Sequence, residues 1–210
     1  IMKALFIGLG SIGQRHLRNL QKLKPNVDLM AVRLHRSAPV LSDSNIIIKG
    51  ANISEHYGVI EFDSLDEALI NKPDIVFVTN PTSMHIAAAK IALKSGAFIF
   101  IEKPISHNYD GIEELIKIEN SFGKNKIFVG YQFRFNPALN LVKKLLDEQK
   151  IGNIVGAQLV NGEYLPNWHK YEDYRKSYAS RRELGGGAIV TQIHDFDYAT
   201  WLFGKPDRIY

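Results

Sequence analysis

The chain has 210 residues, 45% hydrophobic and 23% charged, a globular composition long enough for one large domain or for one domain and part of a second. It contains no cysteine, which removes disulfides, thiolate zinc sites and cysteine nucleophiles together, and any redox chemistry would need a borrowed cofactor. The net charge of +4 is spread among Asp and Glu without a basic block, so no nucleic acid partner is expected, and no apolar run reaches the roughly 18 residues of a membrane span.

Residues 3–10, KALFIGLG, are an apolar run ending in glycines, and Ile12, Leu17, Leu20 and Leu23 then recur mostly at helical spacing before Pro25. This predicts strand, tight turn and a helix over 12–24. A second strand is predicted at 28–34, weak signals follow to 62, and a short helix is predicted at 65–71. DIVFVTN (74–80) reads as a buried strand and SMHIAAAKIALKSG (83–96) as an alanine-rich helix closed by Gly96. AFIFIE (97–102) is the next strand, 112–122 the next helix and KIFVGY (126–131) the next strand. Strands alternating with helices predict an α/β fold with a parallel sheet covered on both faces.

The pattern changes near Asn136. A helix at 137–149 is followed by IVGAQLVNGEYL (154–165), whose alternation predicts a strand of an open, largely antiparallel sheet. A polar, aromatic loop occupies 166–184, and a helix follows from Ala188 to Gly204. The expected division is a dinucleotide-binding domain over 1–135 and a second α/β domain over 136–210, read as partial because Tyr210 falls where another strand begins. With no export signal at the start of the chain, a cytoplasmic location is expected.

Gly8-Leu9-Gly10-Ser11-Ile12-Gly13 is G-x-G-x-x-G between a predicted strand and a predicted helix. Gly8 would allow the tight turn, Gly10 the approach of a pyrophosphate and Gly13 close packing of the helix. The helix start, with Ser11 and Ile12, would offer unpaired N–H groups to the phosphates. About 20 residues further on, where an NAD-binding fold places an acidic residue, the sequence has VRLHRS. Arg33 and Arg36 supply guanidinium forks there, which suit a 2′-phosphate and favour NADP over NAD.

The glycine turn, N-P-x-x-x-H at Asn80-Pro81 to His85, and E-K-P at Glu102-Lys103-Pro104 occur in an order that resembles the Gfo/Idh/MocA oxidoreductases. GYQFRFNP (130–137) and GGGAIVTQIHDFD (185–197) are further matches, so the resemblance spans nearly the whole chain. It implies a doubly wound Rossmann domain, a second domain whose open sheet faces the cofactor and mediates homo-oligomerisation, and a cis peptide before Pro104. It further implies that Lys103 stabilises a developing alkoxide and that His194 is the general acid/base. Many members carry Asp four residues before this histidine, where this chain has Val190. Asp197, three residues after His194, is therefore the expected orienting partner.

Asn80, Pro81, His85 and Glu102 are expected beside the cofactor, and Arg134 at its phosphates or between the domains. Trp168, Tyr174, Arg175 and Tyr178, in the loop before the glycines, are expected to bind a sugar or polyol. The function expected is hydride transfer between NAD(P) and a secondary alcohol or ketone. Cofactor-assisted sugar chemistry without net redox change and a non-catalytic NADP-binding sensor or scaffold are the alternatives. No metal site is expected, because His194 and Asp197 have no further converging ligand.

Overall fold

The computed structural model describes residues 1–33, 38–123 and 125–210. Six parallel strands, β1 (Lys3–Ile7), β2 (Asp28–Val32), β3 (Ile60–Phe62), β4 (Ile75–Val78), β5 (Phe98–Ile101) and β6 (Ile127–Val129), form one sheet in the order β3-β2-β1-β4-β5-β6. The order reverses direction at β1, so β1 and β4 flank the crevice where doubly wound sheets bind ligands.

Side chains alternate along each strand, and both faces are covered. Leu5, Ile7, Val76, Val78, Ile99 and Ile101 face α3 (Leu65–Leu69), α4 (His85–Lys94) and α5 (Ile112–Ser121). Ala88, Ala89 and Ala92 keep α4 close to the sheet. On the other face, Ala4, Phe6, Leu29 and Ala31 pack with Leu17 of α1 (Ser11–Leu23) and with Ile53 and Tyr57 of α2 (Ile53–Tyr57). Phe6, Phe77, Phe100 and Phe128 stand in register across β1, β4, β5 and β6 as a continuous aromatic row, with neighbouring centroids 4.6, 5.4 and 6.1 Å apart.

Past the sheet, Asn136 caps α6 (Pro137–Asp147) by accepting from Ala138 N–H at 2.9 Å, with Pro137 pre-set for the first helical position. The strand expected at 154–165 does not form: residues 148–164 carry no strand, and Val155 and Val160 are fully or largely exposed. Alternation in sequence supplies a face but not a ladder, and no neighbouring strand pairs this run among the described residues. The expected helix from 188 is divided at Gln192 into α7 (Ala188–Thr191) and α8 (Ile193–Phe203). Among the described residues no helix is long and apolar enough to cross a membrane.

Candidate functional site

The register places the candidate residues at one edge. Ile7, Val32, Val78, Ile101 and Val129 end their strands level with one another, and the next residues continue the ladder. Gly8 N–H donates to Val32 O at 2.9 Å, Thr79 to Ile7 O at 3.0 Å, Glu102 to Val78 O at 3.0 Å and Gly130 to Ile101 O at 2.8 Å. The glycine turn, the Asn80 loop, the Glu102-Lys103-Pro104 turn and the 130–137 segment thus leave the sheet side by side.

Gly8 has φ +91°, open to glycine and strained for other residues. A Cβ on Gly13 would lie 2.4 Å from Gly8 O and 2.8 Å from Thr79 Oγ1, so the glycine lets α1 sit directly on the turn. A Cβ on Gly10 would meet nothing within 4 Å. Gly10 precedes α1 without a side-chain cap, and the first turn of α1 holds no acidic residue. The amides of Ser11, Ile12 and Gly13 therefore stand at the positive end of a 13-residue helix, facing open space at Gly10. Asn80 Oδ1 is buried beside this turn without a partner. An uncapped helix start, a turn bare of side chains and an orphaned acceptor together fit a dinucleotide pyrophosphate and its ribose or amide donors.

Of the two expected 2′-phosphate groups, Arg36 lies outside the described residues. Arg33 is turned inward: its side chain is 4% exposed and its guanidinium meets Glu61 Oε1 at 2.5 Å, and Ser54 Oγ donates to the same oxygen at 2.6 Å. This buried pair, contributed by the edge strand, occupies a fork expected to face the cofactor.

The Lys103–Pro104 peptide is cis, as the resemblance implied. Lys103 Nζ donates to Thr191 O at 2.7 Å, and burial holds its ammonium below the ordinary lysine range, against the opposing pull of Glu102 and Glu163. Glu102 gives Oε1 to His16 Nε2 at 2.6 Å and Oε2 to the Lys103 N–H at 3.1 Å. His16 comes from α1 and packs on Phe77 and Phe100. His85 does not line the cleft: it is 1% exposed, with Nδ1 2.9 Å from Pro104 O and Nε2 2.9 Å from Asn80 O. Its ring instead brackets the Asn80 loop to the Pro104 turn, and burial lowers its pKa.

The glycine triplet docks the C-terminal helices on this edge. A Cβ on Gly185, at φ +81°, would come 2.8 Å from Thr82 Cβ and 3.0 Å from Ser83 N, and one on Gly186 would come 2.1 Å from Tyr178 O. That close approach brings Thr191 and His194 to Lys103. His194 is 7% exposed, and burial first, then the Lys103 charge, lowers its pKa. Its Nε2 lies 3.1 Å from Gln132 Nε2, while Nδ1 is buried without a protein partner. The two nitrogens face each other as a bond if the ring nitrogen is the acceptor.

Asp197 is not the hydrogen-bond partner of His194. Both of its oxygens bind Arg134, at 2.7 to 3.2 Å, and only its charge acts on the histidine. Arg134 in turn joins the 130–137 segment to α8 and lies over the Trp201 ring. In the aromatic loop, Trp168 stacks on His169, which stacks on Tyr171, and the Tyr171 hydroxyl faces Ser11 at the glycine turn. Tyr178 faces Glu102, and burial followed by that charge pushes its phenol up to about 12. Arg175 pairs with Asp173 at the surface and Tyr174 is exposed, so neither meets Lys103 or His194. His16, Gln132 and Tyr171 are the site residues that sequence reasoning did not assign. Their partners lie 86, 62 and 160 positions away, beyond any local signal.

A parallel sheet in this order, with an open glycine turn at a helix start beside its switch point, defines a dinucleotide-binding Rossmann domain. The model of the oxidoreductase family with an NAD-binding Rossmann fold, GFO/IDH/MocA, matches residues 2–131, and that of the GFO/IDH/MocA C-terminal domain matches 139–210. The chain belongs to this family. An uncharacterized oxidoreductase of Synechocystis is 30% identical over 153 residues, covering 70% of this chain and 39% of its own length. An inositol 2-dehydrogenase/D-chiro-inositol 3-dehydrogenase of Lactiplantibacillus plantarum is 26% identical over 204 residues, covering 96% and 52%. The structure of the WlbA dehydrogenase of Chromobacterium violaceum in complex with NADH and UDP-GlcNAcA matches with a TM-score of 0.72 at 23% identity, over 97% of this chain and 55% of that one. Scyllo-inositol dehydrogenase from Lactobacillus casei, with bound NAD(H) and scyllo-inositol, gives 0.69 at 24%, over 97% and 56%. At these identities the two structures establish the fold alone. The chain spans about half or less of the length of these curated relatives.

Proposed function

We propose that this chain carries the cofactor turn and the reacting side chains of a nicotinamide-dependent oxidoreductase acting on a secondary alcohol or ketone of a polyol, sugar or sugar derivative. The observation that carries the reading is the meeting of Lys103 and His194: Lys103 Nζ is bonded to the carbonyl of Thr191, three residues before His194, and its charge depresses the histidine. Bound nicotinamide would supply the hydride acceptor. As the carbinol C–H bond breaks and its electron pair leaves with the hydride, the hydroxyl oxygen develops negative charge beside Lys103. The hydroxyl proton passes to neutral His194 at Nε2, the ring nitrogen that carries no proton while it accepts from Gln132. Reduction runs the same steps backward.

The names of the inositol and UDP-GlcNAcA relatives support polyols and sugar derivatives as the first substrates to try. Tyr178 and Trp168 are the loop residues proposed to meet them. With Arg33 engaged by Glu61, preference for NADP over NAD rests on Arg36. Nucleotide reduction by wild type, offered inositols and uronic or amino sugars with NAD or NADP, tests the reading. Turnover of one such alcohol is expected; NADH binding without turnover of any of them would overturn it in favour of a sensor.

A further inference from the structure

Glu102 and Lys103 are neighbours in sequence, and a carboxylate beside a half-buried ammonium would ordinarily close on it as an ion pair. Here it does not. Glu102 Oε1 accepts from the His16 ring, and Lys103 forms no ion pair among the described residues, its Nζ resting on a backbone carbonyl. We propose that His16 is a positioning residue: by holding the Glu102 carboxylate against α1 it keeps Lys103 Nζ open for a substrate oxygen. This rests on the reading of Lys103 given above.

The carboxylate is held from several sides. Oε1 takes the 2.6 Å bond from His16, Oε2 takes the Lys103 N–H, and Gly130 packs so closely that a Cβ there would lie 3.2 Å from Oε1. The imidazole is itself fixed, 4.7 Å from the Phe100 centroid and 6.0 Å from that of Phe77. The other charged or titratable groups facing this cluster are Glu163 and His194 at Lys103, and Tyr178, His85 and His194 at Glu102. Among the described residues none of them binds Glu102 Oε1, so only the Lys103 N–H on Oε2 would hold the carboxylate if His16 lost its donor, and Oε1 would be free to turn. It would then swing to Lys103 and quench the charge that the alkoxide needs.

The test is the titration of Lys103 in the apo protein, followed by competitive acylation with acetic anhydride across pH and peptide mass spectrometry, which requires no turnover. His16→Phe keeps the ring packing and deletes the donor; His16→Leu is a second donor-less variant, and His16→Gln restores an amide donor. Melting curves and NADH affinity confirm that each variant folds. The Lys103 midpoint is expected to rise by about one pH unit or more in Phe and Leu and to return toward wild type in Gln. Once a substrate is known, kcat should fall about tenfold or more in the same two variants with NADH affinity retained. An unchanged Lys103 midpoint in His16→Phe, or the same shift in Gln as in Phe, overturns the inference. A shift in Phe and Leu, reversed in Gln, in a protein that turns over no alcohol supports the His16–Glu102–Lys103 linkage and overturns the oxidoreductase reading alone.

Discussion

Two glycines three residues apart, Gly10 and Gly13, should respond oppositely to alanine. At Gly13 the new methyl would sit 2.4 Å from Gly8 O and 2.8 Å from Thr79 Oγ1, inside contact distance, so α1 must lift from the turn. Overpacking of this kind costs about 1–3 kcal/mol, which for a chain of this size lowers Tm by roughly 2–12 °C. Gly10 is different: its φ of −70° and ψ of −168° suit alanine, and the methyl meets nothing within 4 Å. Apo Gly10→Ala should melt at or slightly above wild type, since alanine narrows the unfolded ensemble. The same methyl fills the space a pyrophosphate would enter. Losing one charge-assisted amide–phosphate bond, at about 1.5–3 kcal/mol, weakens NADH roughly tenfold to a hundredfold. Calorimetric titration with NADH at one salt concentration, beside thermal melts, reads both effects. Gly10→Ala binding NADH as tightly as wild type would refute the placement of the pyrophosphate at this turn.

Arg33→Ala should destabilise the fold, because it removes the guanidinium bound to Glu61 while the Ser54 hydroxyl still donates to that carboxylate; a loss of about 1–3 kcal/mol by denaturant titration is expected. Unchanged stability with a selective loss of NADPH affinity would show instead that Arg33 serves the 2′-phosphate. His194 should titrate below the ordinary histidine value of about 6.5, since burial and Lys103 both oppose its protonation. As a neutral base it would then remain competent at mildly acidic pH, losing alcohol oxidation only as pH falls through the depressed value. NMR titration of the ring should give a midpoint that moves back up in Lys103→Met; a wild-type midpoint at or above the ordinary value would contradict this account.

The parallel sheet was legible because its strands are short apolar runs separated by helices with clear ends, such as the alanine-rich α4 and the glycine turn before α1. Short elements in the weak stretch, α2 and β3, were missed: a five-residue helix and a three-residue strand are too brief to show a period. The run at 154–165 showed a strand's alternation without a partner to pair it. In the site, Lys103 and His194 were readable from motifs, whereas their supports were not. Asp197 lies on the helical turn after His194, but spacing cannot reveal that a guanidinium from the 130–137 segment takes both carboxylate oxygens. Likewise Glu102 stands next to Lys103 in sequence, and only the fold shows the imidazole arriving at it from α1.

The most direct test of the account is Lys103→Met, assayed for NADH affinity and for turnover of whichever polyol or sugar the wild type oxidises. Affinity within about threefold of wild type with turnover reduced roughly a hundredfold or more is the predicted result, since an oxyanion-stabilising group acts in the transition state and not in holding the cofactor. Turnover equal to wild type would contradict the central claim that Lys103, at the end of β5, is the group beside the reacting oxygen.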